Sequence, residues 1–112
     1  GLDKEFMLAK IGLAACLYEQ KKWDEAAALL REAIAGGRAS ANVYASLGIV
    51  EFRRGRIRQA EEQLHNAFGS GQATWRVLFL QGLLAEREGQ TQTAARCYGE
   101  ALRMNPRAKN VR

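Results

Sequence analysis

The chain has 112 residues, which suits one small domain, and its 47% hydrophobic and 26% charged residues are ordinary for a protein that buries a core. Its net charge of +5 favours encounters with acidic partners but says nothing about the fold. The sequence lacks the run of about 18 apolar residues that predicts a membrane span, and Cys16 and Cys97 are too far apart for a CxxC pattern that would indicate a zinc or redox site.

Six helices are predicted in chain order, because apolar residues recur at helical spacing between short breaks. Glycine ends most of the segments, since it adopts the left-handed conformation that closes a helix. Pro106 cannot continue the last helix. The breaks fall at Lys21–Lys22, Gly36–Gly37, Gly55, Gly69–Gly71 and Gly89. The predicted helices span residues 3–20, 24–36, 40–54, 57–69, 73–88 and 91–104.

Pairs of these helices repeat every 34 residues. In the second helix of each unit, a small residue is followed by a bulky one four positions later and a small one three positions after that. Paired helices approach to about 8–10 Å, and a small residue at the crossing permits the closest packing. The three sets are Ala26, Leu30 and Ala33; Ala60, Leu64 and Ala67; and Ala94, Tyr98 and Ala101.

This pattern resembles the tetratricopeptide repeat (TPR) family, whose consensus reads W-x2-L-G-x2-Y, then A-x3-F, then A and P. The middle unit carries the first part as Tyr44-x2-Leu47-Gly48, and the resemblance covers residues 7–108. Lys10 and Leu78 stand in place of the first aromatic, and Arg38 and Gln72 in place of the proline.

The resemblance implies an all-α fold, an α-solenoid of three helix-turn-helix repeats in a right-handed superhelix. The repeats would span residues 7–40, 41–74 and 75–108 within a single domain, 1–112. TPR arrays commonly end in an extra helix that covers the last face, but only Arg107–Arg112 follows the third repeat. We therefore expect the segment to belong to a longer array, or its uncapped repeat ends to allow self-association.

TPR proteins generally bind partners with the first helix of each repeat, which lines the concave face. The resemblance implies that Tyr18, Ile49, Phe52 and Phe79 face this groove and that a protein or peptide segment lies against them. On that interpretation, Phe52→Glu and Phe79→Glu abolish binding without loss of helix. The predicted partner-binding residues are Leu8, Ile11, Tyr18, Asn42, Ile49, Phe52, Arg53, Arg76, Phe79, Leu83 and Arg87.

Arg53, Arg54, Arg56 and Arg58 lie across the turn between the two helices of the middle repeat. Arg53 and Arg87 occupy equivalent positions on the inner face of their repeats. Arg53 is therefore a candidate for binding acidic groups of a partner. The other three are interpreted as solvated turn residues. A nucleic-acid partner would require a contiguous basic face, so no specific nucleic acid is predicted.

Nothing in the sequence indicates catalysis. His65 is the only histidine and has no clustered partner, and the adjacent carboxylates Glu61–Glu62 do not face each other on a helix. Residues 69–71 lack the further glycine and the preceding strand of a phosphate-binding loop. Cys16 and Cys97 lie on helical phases and are interpreted as buried or half-buried thiols. No metal, cofactor or enzymatic activity is predicted.

The leading hypothesis is a non-catalytic scaffold for protein–protein interaction. Two alternatives stay open. One is a bacterial type III secretion chaperone, a class that carries a few such repeats and holds apolar segments of its clients. The other is the periplasmic TPR segment of an exopolysaccharide export protein. The Ala/Arg/Gly-rich usage suits a bacterial source, and the compartment stays open between cytoplasm and periplasm.

Overall fold

Six α-helices and no strand make up residues 2–105, the part of the chain that the computed structural model describes. The all-α repeat fold is therefore confirmed, and every predicted helix boundary lies within two residues of the observed one. Pro106 and the end of the third repeat, to residue 108, lie outside the described residues. The helices are α1 (Leu2–Glu19), α2 (Trp23–Ala35), α3 (Ala41–Arg53), α4 (Ile57–Gly69), α5 (Trp75–Arg87) and α6 (Thr91–Met104).

The turn inside each repeat uses the same left-handed position. Gly55 and Gly89 have φ angles of 80° and 81°, and Lys21, in the equivalent place of the first repeat, has a φ angle of 62°. Glycine adopts this conformation without steric cost, whereas a residue with a Cβ is disfavoured there by roughly 1–2 kcal/mol. The first repeat therefore keeps its turn geometry at the expense of local strain.

Side-chain caps fix where α3 and α5 begin. The hydroxyl of Ser40 accepts a hydrogen bond from the amide of Val43 at 3.2 Å, and the hydroxyl of Thr74 accepts one from the amide of Val77 at 3.3 Å. Each cap satisfies an amide that has no partner inside its own helix. The first helices of the second and third repeats thus start at defined residues.

The helices pack in sequential pairs, and the repeats stack side by side. Within the repeats α1 packs on α2, α3 on α4 and α5 on α6; between repeats α3 contacts both α2 and α5. Small residues allow these crossings: Ala26, Ala60 and Ala94 are buried. At Gly82 a Cβ atom would lie only 2.5 Å from Cε1 of Tyr98, so α5 and α6 approach closely where glycine permits it.

A buried carboxylate joins the first two repeats. Glu51 of α3 is fully buried and accepts hydrogen bonds from Arg31 of α2 and from Nη1 of Arg54, the latter at 2.7 Å. Nε of Arg54 also lies 2.9 Å from Oδ1 of Asp24 at the start of α2.

This network corrects the interpretation of Arg54 as a solvated turn residue, because its side chain is only 12% exposed. Arg54 follows the last residue of α3, three positions after Glu51, and is thus within reach of both carboxylates. Arg56 and Arg58 are exposed, as expected.

Candidate functional site

A cleft of about 290 Å³ lies where the first helices of all three repeats meet. α1 and α3 contribute most of its lining, α2 contributes one residue, and the first two residues of α5 complete it. The lining residues are Ile11, Ala14, Ala15, Tyr18, Glu19, Leu30, Asn42, Val43, Ser46, Ile49, Val50, Trp75 and Arg76.

The cleft has an apolar base and a more polar rim. Its buried lining residues are all aliphatic: Ala14, Leu30, Val43, Ile49 and Val50. Asn42 is exposed and Ser46 is half-buried, and the two lie one turn apart on α3. An apolar surface with a few polar groups at its edge is the usual composition of a binding site.

A cation lies beside an aromatic ring at one end of the cleft. Cζ of Arg76 is 4.5 Å from the ring centroid of Trp75, within the range of a cation–π contact. Burial lowers the pKa of the Arg76 guanidinium from its ordinary value, yet the group stays charged at neutral pH. Among the described residues Arg76 forms no ion pair, so its charge is partly desolvated and uncompensated.

A second cation lies next to the cleft at Tyr18. The Tyr18 ring packs on Trp23 with centroids 5.1 Å apart, and its hydroxyl accepts a hydrogen bond from Nε of Arg53 at 3.3 Å. Nη2 of Arg53 is buried and has no hydrogen-bond partner within residues 2–105. Arg53 is therefore adjacent to the cleft through Tyr18.

Five of the predicted binding residues meet in this cleft: Ile11, Tyr18, Asn42, Ile49 and Arg76. The exposed Leu8 of α1 and the exposed Arg87 at the end of α5 are outside its lining. The half-buried Phe52 packs against the core and does not line the cleft either. Whether any of these residues binds a partner stays a prediction.

Phe79 and Leu83 require a correction. They are only 2% and 5% exposed and belong to the hydrophobic core together with Ile49. The rings of Phe79 and Tyr98 are 5.8 Å apart, and α3 packs directly on α5. The inner faces of α3 and α5 therefore pack against each other and leave no open groove at Phe79. Phe79→Glu is consequently expected to unfold the protein rather than only block binding.

Sequence reasoning missed Trp75 and Ser46. Trp75 is the first residue of α5, one position before Arg76, and consecutive residues do not share a helix face. The tryptophan lines the cleft, where it lies beside the Arg76 guanidinium and also packs against the core. Its neighbouring arginine was the only signal that could have indicated it.

The remaining titratable groups do not form a reactive cluster. Among residues 2–105 no group of three or more His, Cys, Asp or Glu side chains is placed to hold a metal ion. His65 is exposed on α4. Cys97 is buried, and this burial raises the pKa of its thiol, but Cys16 is exposed, which corrects the expectation that both thiols are at least half-buried. Within the same residues no helix has the length and apolar character needed to cross a membrane.

The family model described as tetratricopeptide repeat matches residues 2–42 and 46–107. No curated protein and no solved structure matches the chain. Repeats of this kind are typically non-catalytic and suggest a scaffold for protein–protein interaction. With its helix pairs in 34-residue units and a match over most of its length, the chain belongs to the tetratricopeptide repeat family.

Proposed function

We propose that this chain holds a segment of a partner protein in the cleft. The observation that carries the proposal is the convergence of α1, α3 and α5 on one space of about 290 Å³ with a buried aliphatic base. A space of that size suits a bulky apolar side chain and part of its backbone. Asn42 and Ser46, at the edge, can donate and accept hydrogen bonds with a partner's main chain.

The proposal can be tested by filling the cleft from its open side. Ala15 lines the cleft but is exposed, so Ala15→Trp adds a large ring without disturbing the buried base. Ala28, an exposed residue of α2 outside the lining, offers the matched control Ala28→Trp. The probes are peptides selected on the unmodified protein from a random phage-displayed library, then synthesised with a fluorescent label.

Fluorescence anisotropy then compares the three proteins. Ala15→Trp should weaken peptide binding at least about tenfold, since an apolar anchor contributes roughly 1.5–3 kcal/mol when it is buried. Ala28→Trp should bind like the unmodified protein. Equal binding by both variants, or the failure of any peptide to be selected, would contradict a peptide-binding role for the cleft.

We also propose self-association through an exposed face of α1. Leu13 is 51% exposed, whereas Leu47, its equivalent 34 residues later, is 1% exposed and packs in one cluster with Ala27 of α2. A helix of the same kind from a second copy would cover Leu13 as α2 covers Leu47. Sedimentation velocity over a wide range of concentration should show association that Leu13→Glu abolishes and His65→Glu, on exposed α4 surface, does not. A protein that stays monomeric throughout would refute this proposal.

A further inference from the structure

The chemistry of the partner segment can be inferred further, on the assumption that the proposed function is correct. We infer that the cleft selects an extended peptide segment in which an apolar side chain lies between two acidic residues about five positions apart. The inference depends on a cation in the lining of the cleft, Arg76, on a second cation that lies next to the cleft through Tyr18, Arg53, and on the aliphatic base of the cleft.

Arg76 is the cation that would bind the first acidic residue of the peptide. Its guanidinium is half-buried against the Trp75 ring, lines the cleft and forms no ion pair among the described residues. A carboxylate that reached it would form a charge-assisted hydrogen bond, which is stronger than a neutral one. Asn42, which lines the same cleft, can donate its amide hydrogens to the same carboxylate or to the peptide backbone next to it.

Arg53 is the cation that would bind the second acidic residue of the peptide. Its Nε is held by the Tyr18 hydroxyl, and Tyr18 itself lines the cleft. Its Nη2 is excluded from solvent and has no hydrogen-bond partner in the described part of the chain. A buried donor without an acceptor is costly, so we expect the Arg53 side chain to turn toward an acidic group that arrives beside Tyr18, which would give this donor an acceptor.

The spacing of the acidic residues follows from the length of α3. Arg76 occupies on α5 the place that Asn42 occupies on α3, 34 residues earlier, and α3 and α5 pack side by side. Asn42 and Arg53 are about three turns apart, which is roughly 16 Å along the helix. An extended chain advances about 3.3 Å per residue, so about five residues span that distance.

Two features define the selectivity. The buried base of the cleft is aliphatic, which suits an apolar side chain and not the evenly charged backbone of a nucleic acid, whose recognition requires a basic stripe. Glu19 also lines the cleft, next to Tyr18, and opposes an acidic group there. Replacing Glu19 by Gln should therefore strengthen the preference for an acidic residue at the Arg53 end.

The experiment sequences the peptides that the intact chain enriches from a random nonapeptide library displayed on phage. The enriched peptides should contain two acidic residues about five positions apart with an apolar residue between them. In labelled synthetic copies, Gln in place of either acidic residue should weaken binding to the unmodified protein about tenfold. This measurement on the peptide side needs no protein variant and stays decisive if a variant fails to fold.

Protein variants then assign each acidic residue to its cation. Arg76→Gln should remove the effect of one peptide substitution, and Arg53→Gln the effect of the other. Arg58→Gln, on exposed surface of α4, should leave both effects unchanged. Circular dichroism confirms that each variant is helical.

The outcomes separate this inference from the proposed function. Enriched apolar peptides that lack a spaced acidic pair would overturn the inference but leave peptide binding in the cleft intact. Acidic pairs whose effects do not depend on Arg53 and Arg76 would have the same consequence. Displacement of the peptides by an oligothymidylate in an Arg76-dependent manner would mean that the cleft accepts polyanions in general, which also overturns it. The absence of any enriched peptide would overturn both proposals together.

Discussion

The close contact of α5 with α6 at Gly82 makes a quantitative prediction possible. A Cβ added at Gly82 would lie 2.5 Å from Cε1 and 2.7 Å from Cδ1 of Tyr98, whereas ordinary contact begins near 3.4 Å. The half-buried ring would have to move away from α5 by roughly 1 Å, although it packs against the core. Its hydroxyl donates a hydrogen bond to Oε1 of Glu86 at 2.6 Å, and the centroid of the Phe79 ring lies 5.8 Å from its own, so this movement would disturb both contacts.

The change in the free energy of unfolding for Gly82→Ala combines two terms. Overpacking costs about 1–3 kcal/mol, and the better helix propensity of alanine returns roughly 1 kcal/mol. We expect a net loss of up to about 2 kcal/mol. Gly12 is the matched control: it lies inside α1 with no atom within 4 Å of a Cβ position, so Gly12→Ala should raise stability by up to about 1 kcal/mol.

Urea unfolding followed by circular dichroism measures both variants. The two free energies of unfolding should differ by about 1–3 kcal/mol in favour of Gly12→Ala, since the propensity gain is common to both, and the slopes against urea concentration should be unchanged. If Gly82→Ala proved as stable as Gly12→Ala, α5 and α6 would not approach as closely as the structure shows, and the explanation of the small residues at the crossings would be wrong.

Four further predictions concern the buried carboxylate, the strained turn and the thiols. Glu51→Gln should lower the free energy of unfolding by about 1–3 kcal/mol, because the half-buried Arg54 loses its carboxylate partner. The control Glu61→Gln, on exposed surface, should change it by less than about 0.5 kcal/mol. Equal values for the two variants would contradict the buried network. Lys21→Gly should raise stability by roughly 1 kcal/mol in the same assay by relieving its left-handed backbone, and a loss would argue against that strain. Iodoacetamide should label Cys16 in the folded protein and Cys97 only after unfolding. Burial raises the pKa of the Cys97 thiol in the folded protein above its value in the unfolded chain. The contribution of this thiol to stability is therefore complete below the unfolded-state pKa and is lost as the pH rises through the folded-state pKa. The free energy of unfolding should consequently fall less steeply with rising pH in Cys97→Ala than in the unmodified protein.

The helices were predictable because their boundaries depend on local signals. Gly55 and Gly89 close first helices through a left-handed backbone, and the chain around them is rich in helix formers. The 34-residue repeat added the tertiary pairing, since a small residue such as Ala60 at a fixed position indicates a helix crossing. None of these inferences required knowledge of how far apart neighbouring repeats lie.

The cleft was predictable only in part, because its width depends on the distance between neighbouring repeats. Helical phase places Ile11 and Phe79 on the same inner face, yet the first lines the cleft and the second is core. The environment of Arg54 was unpredictable for a similar reason: its pair with Glu51 is local, but its contact with Asp24 joins the end of α3 to the start of α2 in the preceding repeat. A run of arginines in a turn does not reveal such a contact.

One pair of equivalent positions on the inner face distinguishes the cleft from the closed packing of the second and third repeats. Leu80 of α5 fills the space next to Gly48 of α3, where a Cβ atom on residue 48 would meet Cδ2 of Leu80, and both residues are buried. Their equivalents one repeat earlier are Ser46 and Ala14, and both of these line the cleft. Serine is too short to fill the space that leucine fills in the next repeat. The same backbone architecture therefore holds core between α3 and α5 and a cleft lined mainly by α1 and α3, and we attribute part of this difference to the shorter side chain at position 46.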